Sequence, residues 1–326
     1  MNFTIGVMFR CTLPPQALKS FAQQTEQGGF DALWLVEDCF FSGGIATVST
    51  ALAVTDSLTI GLGIMPAVGR NVAMLALEIS ALANMYPNRF IAGIGHGVGA
   101  WMKQIGAFPP SQLKALEEVT VATRSLLSGE KVTMHGQTVN IDGVQLIFPP
   151  QAIPPLVLGV RGQKSLTIAG KVANGAILAE IHTVEYVAWA RQQIEQGRTQ
   201  AQREDPYELV VYNFCSIHEN KQVAVDRLRP IVADFIAGGE LYSALDTLGI
   251  SEEVRTILAQ GGATALSQSM PNEWIEALTW VGSVEECAQA IRKTVAAGAT
   301  SIVLVPPPNY EQEALTLYQE LLNLLR

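Results

Sequence analysis

Two adjacent carboxylates (Glu37 and Asp38), a glycine-flanked histidine (His96) and a further carboxylate (Glu180) are the side chains best placed to hold a substrate or move a proton. Each sits just beyond a short apolar run: Phe30–Val36, Arg89–Gly95 and Gly175–Ala179 respectively. Titratable groups gathered in one cleft are how folds set up acid–base work. The competing reading for Glu37 and Asp38 is a cap that accepts hydrogen bonds from backbone amides. For His96 it is a hydrogen-bonded loop residue. A second chemistry is written in Val160-Arg161-Gly162-Gln163-Lys164-Ser165, which runs from an apolar strand into a helix with Leu166, Ile168, Ala169 and Val172 on one face. Open amides and the macrodipole at a helix start favour an anion, and Arg161 and Lys164 add positive charge, so a phosphate is expected. The competing reading is a solvent-exposed turn with two ordinary basic residues. Neither GxxxxGK[ST] nor a GxGxxG followed by the required acidic residue occurs, which argues against P-loop and Rossmann sites. His135, His182 and His218 show no HExxH, triad order or metal-ligand spacing, so hydrolase and metal readings are poor.

The elements that must position these groups alternate along the chain. Strands are expected at Phe3–Phe9, Phe30–Val36, Leu58–Ile64, Arg89–Gly95, Pro155–Val160, Gly175–Ala179, Glu208–Ile217 and Thr300–Val305. Such near-continuous apolar runs suit a parallel sheet covered by helices. Helical faces lie between them: Ala17, Leu18, Phe21 and Ala22 before Gly28-Gly29; Val72, Leu75, Ala76, Ile79 and Leu82 before Pro87. Ser283 and Glu286 form a capping-box pair opening a helix that Gly298 stops. Eight strand–helix repeats predict a (β/α)8 barrel as a single domain over 1–326, with an open doubly wound sheet as the alternative. Two segments break the alternation: a hairpin near 131–147, with turns expected at His135-Gly136 and Asp142-Gly143, and a helical insertion near 238–280. Insertions at a barrel's catalytic face can serve as lids.

Composition narrows the function. Apolar residues make up 48% and charged residues 16% of the 326, which excludes disorder. The balance of 21 basic and 30 acidic residues, a net charge of −9, argues against a nucleic-acid-binding face. Four scattered cysteines without a CxxC suggest neither a disulfide framework nor zinc. No leader pattern or membrane span is read, so a cytoplasmic protein is expected.

Several runs together resemble the bacterial luciferase-like flavin or deazaflavin oxidoreductases, in particular the coenzyme F420-dependent subgroup that includes methylenetetrahydromethanopterin reductase. They are Phe30–Asp38, Gly61–Arg70, Asn88–Gly95, Gly162–Leu166 leading to Ala169-Gly170 and Asn174–Leu178, and Trp280–Glu286. The resemblance implies a (β/α)8 barrel and a non-prolyl cis peptide at Gly63–Ile64, with Ile64 as an apolar wedge against the cofactor ring. It places the phosphate loop on Val160, Arg161, Gly162, Gln163 and Lys164. It implies hydride transfer between the deazaflavin and a small organic substrate, with Glu37, Asp38, His96 and Glu180 managing substrate or proton, and a homodimer or larger homo-oligomer. Departures are visible: Gln163 stands where proline is common, Val98 where sugar-phosphate dehydrogenases carry a catalytic glutamate, and Cys39 where several members have histidine. An FMN-dependent monooxygenase and a flavin-binding homologue without turnover stay open as alternatives.

Overall fold

Each apolar run read as a strand is one in the computed structural model, which describes residues 3–239 and 242–326. The strands are β1 (Thr4–Met8), β2 (Ala32–Leu35), β3 (Thr59–Pro66), β4 (Phe90–Gly95), β5 (Val132–His135), β6 (Asn140–Val144), β7 (Leu156–Gly159), β8 (Gly175–Leu178), β9 (Glu208–Ile217), β10 (Trp280–Gly282) and β11 (Ser301–Val305). β2, β8 and β11 are buried at every residue, the pattern of strands covered on both faces. The fold is a (β/α)8 barrel.

Two units differ in their internal contacts. One comprises Phe9–Ile177 and Gln193–Glu208; the other comprises the chain up to Met8, Leu178–Gln192 and Leu209–Arg326. In the first, β2, β3, β4, β7 and β8 lie side by side in that order, with Leu35 opposite Leu62, Leu62 opposite Ala92 and Gly95 opposite Gly159. The register slips between Leu62 and Met65, a bulge centred on Gly63 and Ile64. The Trp34 ring fills the place where a Cβ on Gly61 would stand, 2.3 Å from its nearest ring atom. In the second unit the order is β10, β9, β11, β1, all parallel, with Ser301 between Val210 and Thr4.

Local chemistry sets the helix boundaries. Asn71 caps the helix Val72–Met85, accepting from the Ala73 amide at 2.9 Å. Ser283 and Glu286 form the expected reciprocal box ahead of Val284–Ala296, and Gly298 follows with φ 116°.

The insertions need two corrections. Segment 131–147 is an antiparallel hairpin of β5 and β6, and its turn lies at Gly136–Val139. Asp142-Gly143 is not a second turn. Gly143 adopts φ 60° inside β6, and its amide donates to Thr133 Oγ1 at 2.8 Å, so the extra residue is absorbed as an irregularity of the ladder. Segment 238–280 is helical as expected, with helices Tyr242–Leu248, Ser251–Ser269 (broken at Gly261-Gly262) and Asn272–Leu278. Glu240 and Leu241 lie outside the described residues. Its end, Trp280–Gly282, is the short strand β10 beside β9, too brief to show a periodicity.

Candidate active site

Ile64 is the centre of the first unit's strand ends. The Gly63–Ile64 peptide is cis, as the resemblance implied, and so is Cys39–Phe40, which it did not. The Ile64 side chain lies over three glycines of two neighbouring strands. A Cβ on Gly95 would stand 2.7 Å from Ile64 Cγ1, one on Gly159 2.8 Å from Cγ2, and one on Gly93 3.2 Å from Cγ2. Gly95 and Gly159 leave the volume that the isoleucine fills, while a Cβ on Gly93 would first meet the Leu62 carbonyl oxygen at 2.2 Å; Ile64 itself remains half-buried. Met65 next to it is core, whereas Phe40 and Phe41 are 67% and 55% exposed.

The carboxylates after β2 divide into two environments. Glu37 accepts from Arg70 Nη2 at 2.6 Å through one oxygen and from the Gly44 amide, at the start of the helix Gly44–Ala53, at 2.8 Å through the other. Arg70 Nε also lies 3.5 Å from Glu78. Glu37 is therefore committed to cap and ion pair, and Arg70, which the sequence reading did not single out, is its partner. Asp38 has no such cation. Burial pushes its carboxyl above the ordinary range, partly offset by a hydrogen bond from the Cys11 thiol. Burial and the charges of Glu37 and Asp38 push the Cys39 thiol up as well.

His96 follows β4, between Gly95 and Gly97, and Gly97 takes φ 68°. Burial lowers its pKa, against a smaller opposing contribution from the Gln112 backbone, so the neutral ring is favoured at pH 7. Its Nδ1 is buried without a hydrogen-bond partner.

The segment after β7 has the form expected of an anion site. Val160 is buried, its amide donating to the Ile177 carbonyl at 3.2 Å. Gly162 is the extended N-cap of the helix Gln163–Val172 and makes no side-chain cap bond to its first turn. Nothing lies closer than 3.9 Å to a Cβ built on Gly162, and Gln163 and Lys164 are exposed beside it. The helix is seated by two close backbone approaches to the helix Val184–Gln200: a Cβ on Gly170 would stand 2.1 Å from the Ile194 carbonyl oxygen, and one on Gly197 2.0 Å from that of Thr167.

Glu180 belongs to the other unit, in the turn after β8. The next residue, Ile181, takes φ 65°, rare for a β-branched side chain, and its amide donates to Asn213 Oδ1 at 3.1 Å. Burial, with a further contribution from the charge of Glu180, raises the Tyr212 phenol well above its ordinary range. His182 is buried and donates to the Tyr212 carbonyl at 2.9 Å, which makes it structural.

The hairpin lines a cleft within the first unit. The cleft, of about 400 Å³, is lined by Ala67, Val68 and Arg70–Val72, by Gly106–Pro110 and by the hairpin tip Gln137–Asn140, with Arg70 on its wall. The tip is pinned by the buried Glu118, which accepts from the amides of Gln137, Thr138 and Val139 at 3.1, 2.9 and 3.1 Å. Burial alone would raise the Glu118 pKa; the three amides outweigh it and hold it below the ordinary value. A depressed folded-state pKa contributes stability above the unfolded value that is lost as pH falls through the folded one. Hydrogen exchange at Gln137–Val139 is therefore expected to speed up in acid in the native protein. In Glu118→Gln it is expected to be fast already at neutral pH with little further pH dependence beyond the intrinsic rate. Equal protection in both proteins would disprove the pinning. Among the described residues no group of three or more His, Cys, Asp or Glu side chains could hold a metal.

Residues 3–301 match the family described as luciferase-like monooxygenase. The chain belongs to that family. It is an oxidoreductase of the luciferase-like class. It is 29% identical to the 5,10-methylenetetrahydromethanopterin reductase of Methanolobus tindarius, over 98% of this chain and all of that one. It is 23% identical to the F420-dependent glucose-6-phosphate dehydrogenase of Microbacterium testaceum, over 96% of this chain and 94% of that one. The coenzyme F420-dependent tetrahydromethanopterin reductase of Methanopyrus kandleri superposes over the whole of both chains with a TM-score of 0.87 at 22% identity, a likeness of fold. No helix among the described residues is long and apolar enough to cross a membrane.

Proposed function

We propose that this luciferase-like protein is a coenzyme F420-dependent oxidoreductase that transfers a hydride between the deazaflavin and a carbon of a small organic substrate. The observation that carries this reading is the helix start at Gly162–Lys164, exposed, with a glycine N-cap that makes no side-chain cap bond. The full-length likeness to reductases and to an enzyme named as F420-dependent supports the deazaflavin as the group that brings that anion.

When bound, the deazaflavin supplies hydride chemistry at its ring, and the protein positions it and excludes water. The amides following Gly162, with Val160, Arg161, Gln163 and Lys164, hold the phosphate. Gly63 and Ile64, braced on the glycines of β4 and β7, support the ring. Asp38, whose burial favours the protonated form more than usual, and the neutral His96 hold or move a proton. Glu37, locked by Arg70 and Gly44, fixes the end of β2.

Titration with F420 and, separately, FMN tests the assignment. F420 is expected to bind more tightly. Arg161→Ala and Lys164→Ala are each expected to weaken it about tenfold, the scale of one charge-assisted hydrogen bond, and more steeply at low salt. A preference for FMN would move the protein to the monooxygenase reading. Binding of neither would end the cofactor assignment. Turnover is then followed with 5,10-methylenetetrahydromethanopterin, glucose 6-phosphate and a secondary alcohol as substrates.

A further inference from the structure

The cleft beside the hairpin tip is used by neither the proposed phosphate cradle nor the ring floor, and its walls have a chemistry of their own. Its volume of about 400 Å³ lies in the range of small-molecule pockets. Two of its walls are attached to the loop that carries His96. The Ala67 amide donates to the Gly95 carbonyl at 2.8 Å, and a Cβ on Gly99 would stand 3.4 Å from Phe108 Cε2. Phe108, 43% exposed, offers a flat apolar surface with Pro109 and Pro110 next to it. Among the described lining residues Arg70 alone is charged, and it is already opposed by Glu37 at 2.6 Å and Glu78 at 3.5 Å. The rest of the polar wall is neutral. Asn71 Oδ1 is engaged by the Ala73 amide and Asn140 Oδ1 by the His135 ring, which leaves the Nδ2 donors of both. Thr138 Oγ1 and Arg70 Nη1, from opposite walls, are buried with no hydrogen-bond partner among the described residues.

We propose that this cleft holds the non-reacting part of the substrate, and that this part is an uncharged, flat group bearing a carbonyl oxygen. The inference rests on the proposed function for the reaction and on the cleft itself for the ligand. The groups left over are amide donors, a hydroxyl and a charge-balanced guanidinium, so an acceptor oxygen is what they lack. A carbonyl that enters and draws Thr138 or Arg70 round to it supplies the partner whose lack the folded protein already carries as a cost. Phe108 and the two prolines take the apolar face of the same group. A carboxylate or phosphate fits worse: Glu37 and Glu78 outweigh the Arg70 charge, and an anion gives up its hydration to meet them.

Benzamide and benzoate, one ring with an uncharged and a charged end, are titrated into the full-length protein while the amide resonances of Gln137–Asn140 are followed. Benzamide is expected to shift them saturably and to bind at least about tenfold more tightly than benzoate, which meets like charge. No saturable shift, or benzoate binding as tightly, would overturn the proposal. Thr138→Val keeps the shape and removes a hydroxyl that has no partner, so its melting temperature is expected to match or exceed the native one. Its benzamide affinity is expected to fall about fivefold, the scale of one neutral hydrogen bond. An affinity that neither Thr138→Val nor Phe108→Ala lowers would place benzamide elsewhere and defeat the assignment. In a second arm the F420-loaded protein is used. Benzamide is expected to bind it as tightly as the cofactor-free form, and during turnover to raise the substrate KM while leaving kcat. Displacement of F420 by benzamide would make the cleft part of the cofactor's site and overturn the substrate role. If the native protein binds no F420, the proposed function fails, and the substrate role with it, while the first arm still decides whether the cleft takes an uncharged carbonyl group.

Discussion

Gly197→Ala is expected to destabilise the folded protein by about 3 kcal/mol, the upper part of the range for overpacking a well-filled contact. The added methyl would stand 2.0 Å from the Thr167 carbonyl oxygen, 2.9 Å from its carbonyl carbon and 3.2 Å from its Cα. All three are backbone atoms, so no side-chain rotation relieves the overlap and the two helices must separate. Separation moves the helix Gln163–Val172, whose first turn is the proposed phosphate cradle. The variant is therefore expected to lose thermal stability and cofactor affinity together. Chemical denaturation gives the first quantity and F420 titration the second. A variant as stable as the native protein would show that the helices do not touch at this point. Gly170→Ala, 2.1 Å from the Ile194 carbonyl oxygen, is the independent check from the facing helix.

Gly159→Ala should behave differently. Its methyl would meet only the Ile64 side chain, at 2.8 Å from Cγ2 and 3.4 Å from Cγ1. A side chain can give way where a backbone cannot, so the fold is expected to survive with a modest change in melting temperature. The displaced Ile64 would intrude on the ring's place, and F420 affinity is expected to fall at least about tenfold, equivalent to 1.4 kcal/mol. The decisive measurement is the double variant: Ile64→Ala in the Gly159→Ala background returns the lost volume and is expected to recover most of the affinity. If Gly159→Ala binds F420 as the native protein does, Ile64 is not the floor of the ring site.

The sequence made some of this visible because the relevant forces are local. Unbroken apolar runs located the barrel strands, Ser283 and Glu286 marked a helix start, and Arg161, Gly162 and Lys164 marked a helix N-terminus with its charge. What stayed hidden depends on residues far apart in the chain. Arg70 is 33 residues from Glu37, and no spacing rule reports that they pair. The reading of Asp142-Gly143 as a turn failed because glycine at positive φ serves a strand irregularity as well as a turn. The reading of Glu37 and Asp38 as one unit missed that a cation reaches only the first of them.

The seat of Ile64 has a consequence for how this enzyme can change. Gly95 and Gly159 are each bare because of a single side chain on a third strand, and each would have to be renegotiated if that side chain grew or shrank, whereas Gly93 is held bare by the Leu62 carbonyl oxygen, 2.2 Å from where its Cβ would stand. Ile64, Gly95 and Gly159, three positions on β3, β4 and β7, are thus one degree of freedom. A drift toward alanine at Gly95 or Gly159 is tolerable only after position 64 has been trimmed, and a bulkier residue at 64 finds no space already granted. The order of substitutions is imposed by volume, so a route to a differently shaped ring floor must pass through a smaller residue 64 first.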